Sequence, residues 1–130
     1  MTRLTILCVT HYSAAMSHNE FLSTHRQELR RGTVVLACLL ALREPGYGYG
    51  LLDELAAAGV PVEANTLYPL LRRLEAQGLL VSEWDTTETR PRKFYRTSPE
   101  GLAMARELQN EWAGLSAALD RLDPARGEAR

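Results

Sequence analysis

Asn65-Thr66-Leu67-Tyr68-Pro69-Leu70-Leu71-Arg72-Arg73-Leu74-Glu75, closed by Gly78-Leu79-Leu80, reads as a short amphipathic helix. At 3.6 residues per turn, Leu67, Leu70, Leu71 and Leu74 share one face. Asn65, Pro69 and Arg72 point the opposite way, flanked by Tyr68 and Arg73. Asn65 or Thr66 suits the N-cap. Pro69 then falls in the first turn, where its missing N–H would have had no partner. Gly78 ends the helix.

A strand–turn–strand pattern follows. Leu79 to Asp85 and Arg92 to Thr97 favour strands, helped by Trp84, Phe94 and Tyr95. Thr86 to Pro91 is a polar turn, and Arg90, Arg92 and Lys93 give the hairpin a basic tip. A helix with a polar, basic face beside a basic hairpin is what a winged helix-turn-helix uses to hold DNA. One element enters the major groove and the other meets the neighbouring backbone.

Upstream, Ser17 to Glu20 fits a capping box for a helix over about His18 to Arg31, broken at Gly32. Thr33 to about Arg43 predicts a second helix, apolar nearly all round, which calls for burial on every side. One small domain seldom covers such a helix, and a partner subunit would supply the second layer. Pro45-Gly46-Tyr47-Gly48-Tyr49-Gly50 reads as a loop. No strand precedes it and no Gly-Lys-Ser/Thr follows, so it is no nucleotide loop; Tyr47 and Tyr49 read as packing residues. A helix from about Tyr49 to Ala58 stops at Gly59, and Val60-Pro61-Val62 is an extended connection.

Downstream, Thr97 as N-cap with Glu100 starts a last helix that runs to about Leu122, since Pro124 forbids much extension. Leu108, Trp112, Leu115, Leu119 and Leu122 are spaced four, three, four and three apart, the seam of a coiled coil. Such a helix spans roughly 35 Å, beyond a small core, and its seam wants another chain. The expected class is therefore mainly α with a small β-hairpin wing. The pattern predicts a disordered tail over residues 1–16, the DNA-binding domain over 17–97, the dimerisation helix over 98–123 and a second disordered tail over 124–130. Well-patterned sequence begins just after Met16, which is a candidate start.

The chain has 130 residues, 45% hydrophobic and 24% charged, with a formal net charge of −1. That suits one globular domain with a modest core and argues against a non-specific nucleic-acid coat. Between Asn65 and Arg96, however, six basic residues face four acidic ones, so the field is locally positive. The longest apolar run, Val34 to Leu42, is too short to cross a bilayer, and the run from Leu4 to Val9 is shorter than a signal-peptide core. Two cysteines, Cys8 in the tail and Cys38 in the apolar run, give no disulfide framework and point to a reducing compartment. His11, His18 and His25 recur every seven residues. On a helix that is about 10.5 Å, too far to share one ion, so no metal is expected. No nucleophile elbow or paired carboxylates suggest an enzyme.

For each polar group a bland role stands beside the sharper one. The helix at 65–77 could be merely solvated. As a groove reader, Asn65 and Arg72 would meet base edges, while Thr66 and the Tyr68 hydroxyl would meet phosphates, with Arg73 beside them. Arg90, Arg92 and Lys93 suit phosphate or minor-groove contact by the wing. Trp112 is either a packing residue or a flat platform for a planar apolar effector.

At these residues the chain resembles the PadR family of bacterial transcriptional regulators. The resemblance rests on Gly46-Tyr47-Gly48-Tyr49, the stretch Asn65 to Glu75, Gly78-Leu79-Leu80, and Arg92-Lys93-Phe94-Tyr95-Arg96 with Thr97 and Gly101, and covers about Glu28 to Leu122. It implies a cytoplasmic, homodimeric winged helix-turn-helix repressor, with no cofactor and no membrane partner. In that family the first and last helices swap across the dimer. Several members bind small aromatic or drug-like compounds that weaken the hold on a double-stranded DNA operator. The single last helix is similar to a compact subgroup, with Trp112, Leu108, Leu115 and Leu119 at the effector or dimer interface. The rival expectation is a winged helix used only for protein interaction, which needs an apolar patch where Asn65, Arg72 and Arg73 sit.

Overall fold

The computed structural model describes residues 16–128. They fall into two compact units, one ending at Thr33 and one beginning at Val34. The first contains α1 (His18–Arg31). Its capping box forms as the sequence predicts: the Ser17 side chain accepts from Glu20 N at 3.2 Å, and Glu20 Oε2 accepts from Ser17 N at 3.2 Å. Leu22 and Leu29 stand exposed on α1. Cys8, His11 and most of the expected N-terminal tail lie outside the described residues.

α2 (Thr33–Ala41) stops two residues before the expected end. Cys38, Leu39 and the following Leu42 are fully buried, but Val34, Val35, Leu36 and Leu40 are only half-buried. The expectation of burial on every side is thus met on one side by this chain alone.

β1 (Gly46–Tyr47) lies in the segment expected to be a loop. Two residues are too short for an alternating pattern to show. β1 pairs antiparallel with β3 (Arg92–Thr97), placing Gly46 opposite Tyr95 and Tyr47 opposite Phe94. β3 pairs on its other side with β2 (Leu80–Asp85), from Leu80 opposite Thr97 to Asp85 opposite Arg92. The wing is therefore rooted in a three-stranded sheet of order β1-β3-β2. Its root is wider than the two-stranded hairpin expected.

α3 (Gly48–Ala58) ends at Gly59, whose φ of +97° is open to glycine and strained for other residues. α4 (Ala64–Ala76) carries the diagnostic stretch, with Leu67, Leu70, Leu71 and Leu74 all buried. Its N-cap lies two or three residues earlier than the side chains suggest. Glu63 is the N-cap and makes no side-chain cap bond, so neither Asn65 nor Thr66 is spent on capping. Pro69 consequently sits past the first turn, and it has no N–H to offer the Asn65 carbonyl four residues back. Burial of each leucine is worth roughly 1.5–3 kcal/mol, enough to hold the helix despite that missing bond.

α5 (Pro99–Leu122) is capped by Ser98, not by Thr97. Thr97 still belongs to β3, and its hydroxyl donates to the Leu39 carbonyl at 2.7 Å. Ser98 Oγ accepts from Gly101 N at 3.0 Å and donates to the Gly78 carbonyl at 2.6 Å. Gly101 is buried, and a Cβ there would run into the Leu79 carbonyl, so α5 leaves the sheet at close range. Where the sequence predicts a disordered tail, Pro124–Glu128 forms a short helix, α6. Proline suits that first turn as well as it ends the helix before it.

The core joins Leu39, Leu42, Leu51, Leu55, Leu67, Leu71, Leu74, Leu80 and Tyr95 with Ala105 of α5. Among the described residues no helix is long and apolar enough to cross a membrane.

Candidate nucleic-acid interface

The leucine face of α4 fixes which residues stand on its outer side. Asn65, Thr66, Pro69, Arg72 and Arg73 are exposed. Neither Arg72 nor Arg73 has an acidic partner among the described residues. Two guanidinium groups and one amide, held on a helix whose opposite face is locked in the core, form a preorganised polar surface. Tyr68 differs from them. It is half-buried, and its ring packs so closely on Gly48 that a Cβ there would collide with it. The ring joins α3 to α4, which explains why glycine stands at position 48.

The wing tip separates the three basic residues that the sequence groups together. Arg90 is exposed in the turn, with no acidic partner among the described residues. Lys93 Nζ instead lies 3.1 Å from Glu75 Oε1 of α4 and 5.3 Å from the Tyr95 ring centroid. The second Glu75 oxygen accepts a hydrogen bond from Ser82 Oγ of β2. The Ser82 bond, followed by the Lys93 ammonium, holds the Glu75 carboxyl below its ordinary range despite partial desolvation. The Glu75 bond raises Lys93 in turn.

Arg92 is half-buried on the other face of the sheet. Its Nη1 donates to Tyr49 Oη at 2.8 Å, and Nη2 lies 3.3 Å from Glu88 Oε1 and 3.5 Å from Asp85 Oδ2. The guanidinium carbon sits 4.4 Å from the Tyr47 ring centroid. Tyr47 stacks on Tyr49 with centroids 5.6 Å apart, meets Phe94 edge-on, and donates its hydroxyl to Asp85 at 2.6 Å. Asp85 also accepts from the Thr87 hydroxyl and amide. The Thr87 side chain, then Tyr47, lower the Asp85 carboxyl to about 2.

Sequence reasoning located the polar face of α4 but missed Tyr47, Tyr49, Glu75, Ser82 and Asp85 as supports of the wing. The available signal was the two-residue alternation of β3, which puts Arg92 and Lys93 on opposite faces. Internal pairing leaves Arg72, Arg73, Arg90 and Arg96 as the cations between positions 65 and 96 without acidic partners among the described residues.

On α5, Leu108 packs against the core, whereas Trp112, Leu115, Leu119 and Leu122 are bare. Trp112 is 56% exposed and Leu119 62%. Burial pushes the Cys38 thiol up to about 12, so it is an inert core group. His18 and His25 are exposed, and no group of described residues is arranged to hold a metal ion.

Residues 35–111 match the model of the transcriptional regulator PadR-like family. The chain is 48% identical over 61 residues to the transcriptional regulator Rv3488 of Mycobacterium tuberculosis, a match covering 47% of this chain and 57% of that protein's length. A crystal structure of a PadR family transcriptional regulator from Eggerthella lenta superposes with a TM-score of 0.78 at 52% identity, over 81% of this chain and 94% of that one. Bacillus subtilis PadR, solved in complex with operator DNA, shares the fold at a TM-score of 0.55 and 18% identity, over 59% of this chain and 45% of its own.

Proposed function

The chain belongs to the PadR-like family of transcriptional regulators, and from that membership we propose that it is a homodimeric repressor of a pseudo-palindromic DNA operator. In this reading each protomer lays α4 in a major groove, and a small aromatic or drug-like compound releases the complex. Half-sites then lie about 10 base pairs apart, or a multiple of that. The protein acts in the cytoplasm, as a regulator and not as an enzyme.

One observation carries the DNA reading: Asn65, Thr66, Arg72 and Arg73 project from a helix fixed by four buried leucines, and both arginines lack acidic partners among the described residues. Arg90 adds a cation at the wing that has no acidic partner among the described residues. Bacillus subtilis PadR, which shares the fold, was solved in complex with operator DNA, and that supports DNA as the partner. A module built only for protein interaction would present apolar side chains on α4, and these are polar. The homodimer rests on the bare Trp112, Leu115, Leu119 and Leu122 and on the half-covered α2. The effector rests on the exposed Trp112 indole, a flat surface on which a planar ring stacks.

A gel shift with the duplex upstream of this chain's own coding sequence tests the reading. A retarded band that Arg72→Ala weakens supports it. No retardation at low salt contradicts it.

A further inference from the structure

We propose that Arg92 is not a phosphate contact but the centre of a clasp that fixes the angle of the wing, with Tyr47, Tyr49 and Asp85 as its positioning residues. This rests on the reading that α4 and the wing bind duplex DNA. The sheet shows why a clasp is needed. β1 ends at Tyr47 opposite Phe94, so Lys93, Arg92, Trp84 and Asp85 extend beyond it with only one neighbouring strand each. A two-stranded ribbon is marginal by itself in water. The turn from Thr86 to Pro91, which carries Arg90, hangs from the Asp85–Arg92 pair at its end.

Arg92 takes the place of the missing third strand. Nη1 reaches Tyr49 at the start of α3, and Nη2 reaches Asp85 and Glu88 across the turn. Nε is shut off from solvent without a hydrogen-bond acceptor among the described residues, while the group covers the Tyr47 ring. The Tyr47 hydroxyl closes the circuit on Asp85. To grip a phosphate, Arg92 would have to leave Tyr49, the ring and two carboxylates, and those carboxylates would then repel the phosphate.

The two roles predict opposite signs for Asp85→Asn. If Arg92 were a contact held back by Asp85, removing the acid would free a cation, remove a negative charge beside the duplex and tighten binding. The clasp predicts weaker binding, because the wing loses its fixed angle. Tyr49→Phe keeps the exposed ring and its stack and deletes only the hydroxyl bonded to Arg92, so it tests the clasp without threatening the fold. Arg92→Lys keeps the charge but not the planar fork, and under the clasp it does not rescue binding.

The experiment is fluorescence anisotropy of the labelled duplex upstream of the chain's own coding sequence, titrated at several salt concentrations. Asp85→Asn, Tyr49→Phe and Arg92→Lys should each weaken binding, with Tyr49→Phe weaker by about three- to tenfold, the worth of one hydrogen bond. All three should keep the parent's salt slope, whereas Arg90→Ala should lower it by about one. Tyr49→Phe binding like the parent, or Asp85→Asn binding as tightly or more tightly, overturns the clasp alone. A parent chain that fails to bind the duplex at low salt overturns the DNA reading, and the clasp's role with it.

Discussion

Arg72 is the residue at which function and stability separate most cleanly. Its guanidinium is exposed and has no acidic partner among the described residues. Arg72→Ala should therefore change unfolding free energy by no more than about 0.5 kcal/mol. It should also weaken duplex binding, and if the lost contact is to phosphate the salt slope falls by about one. Urea unfolding and anisotropy check the two halves separately. Gly48 is the converse case. A Cβ there meets the Tyr68 ring, so Gly48→Ala should cost roughly 1–3 kcal/mol by overpacking and shift α4, reducing stability and binding together. The exposed side chains of α4 were legible in the sequence because a helical wheel sorts them by face. The partners of Arg92 and Lys93 were not, because Tyr49 lies 43 residues from Arg92, and Glu75 lies 18 from Lys93. Only the register of a folded sheet brings such pairs together.

Element types were legible wherever a period of 3.6 ran for several turns, as in α4 and α5. Element ends were less so, because two neighbouring polar residues often compete to cap one helix. Ser98 displaced Thr97 as the cap of α5 because Thr97 remained in the β3 ladder opposite Leu80. Ser98→Ala should cost about 1–3 kcal/mol, since it removes the cap of α5 and leaves the Gly78 carbonyl without its hydroxyl donor. Calorimetric or urea unfolding reads this directly. β1 was illegible for the reason already evident in its length: two residues display no alternation. At the wing, pH reports on the clasp. Asp85 falls from an ordinary 3.8 to about 2, chiefly through Thr87 and then Tyr47. A carboxylate with a lowered pKa stabilises the fold above its unfolded value, and the contribution is lost as pH falls through the folded one. The melting midpoints of the parent and Asp85→Asn should thus differ most above pH 4 and converge as pH approaches 2. A difference that persists unchanged at pH 2 would remove the Asp85 carboxylate from the account.

At the scale of the whole molecule, the seam of α5 divides in two. Leu108 serves the core of its own chain, while Trp112, Leu115, Leu119 and Leu122 remain uncovered on a helix of 24 residues, about 36 Å long. A single chain leaves that apolar stripe in water, and a second copy of α5 covers it in the proposed dimer. Leu119→Asp should then yield monomers by sedimentation velocity with the fold retained, because Leu119 lies outside the core. Such monomers should grip one half-site and lose the affinity that comes from holding two at once. The most direct test of the central claim, that paired α4 faces grip one duplex, is the stoichiometry of the complex by sedimentation of labelled upstream DNA. Two protomers per duplex, with a measurably weaker complex for Arg72→Ala, is the expected result. One protomer per duplex, or an Arg72→Ala complex indistinguishable from the parent's, contradicts it.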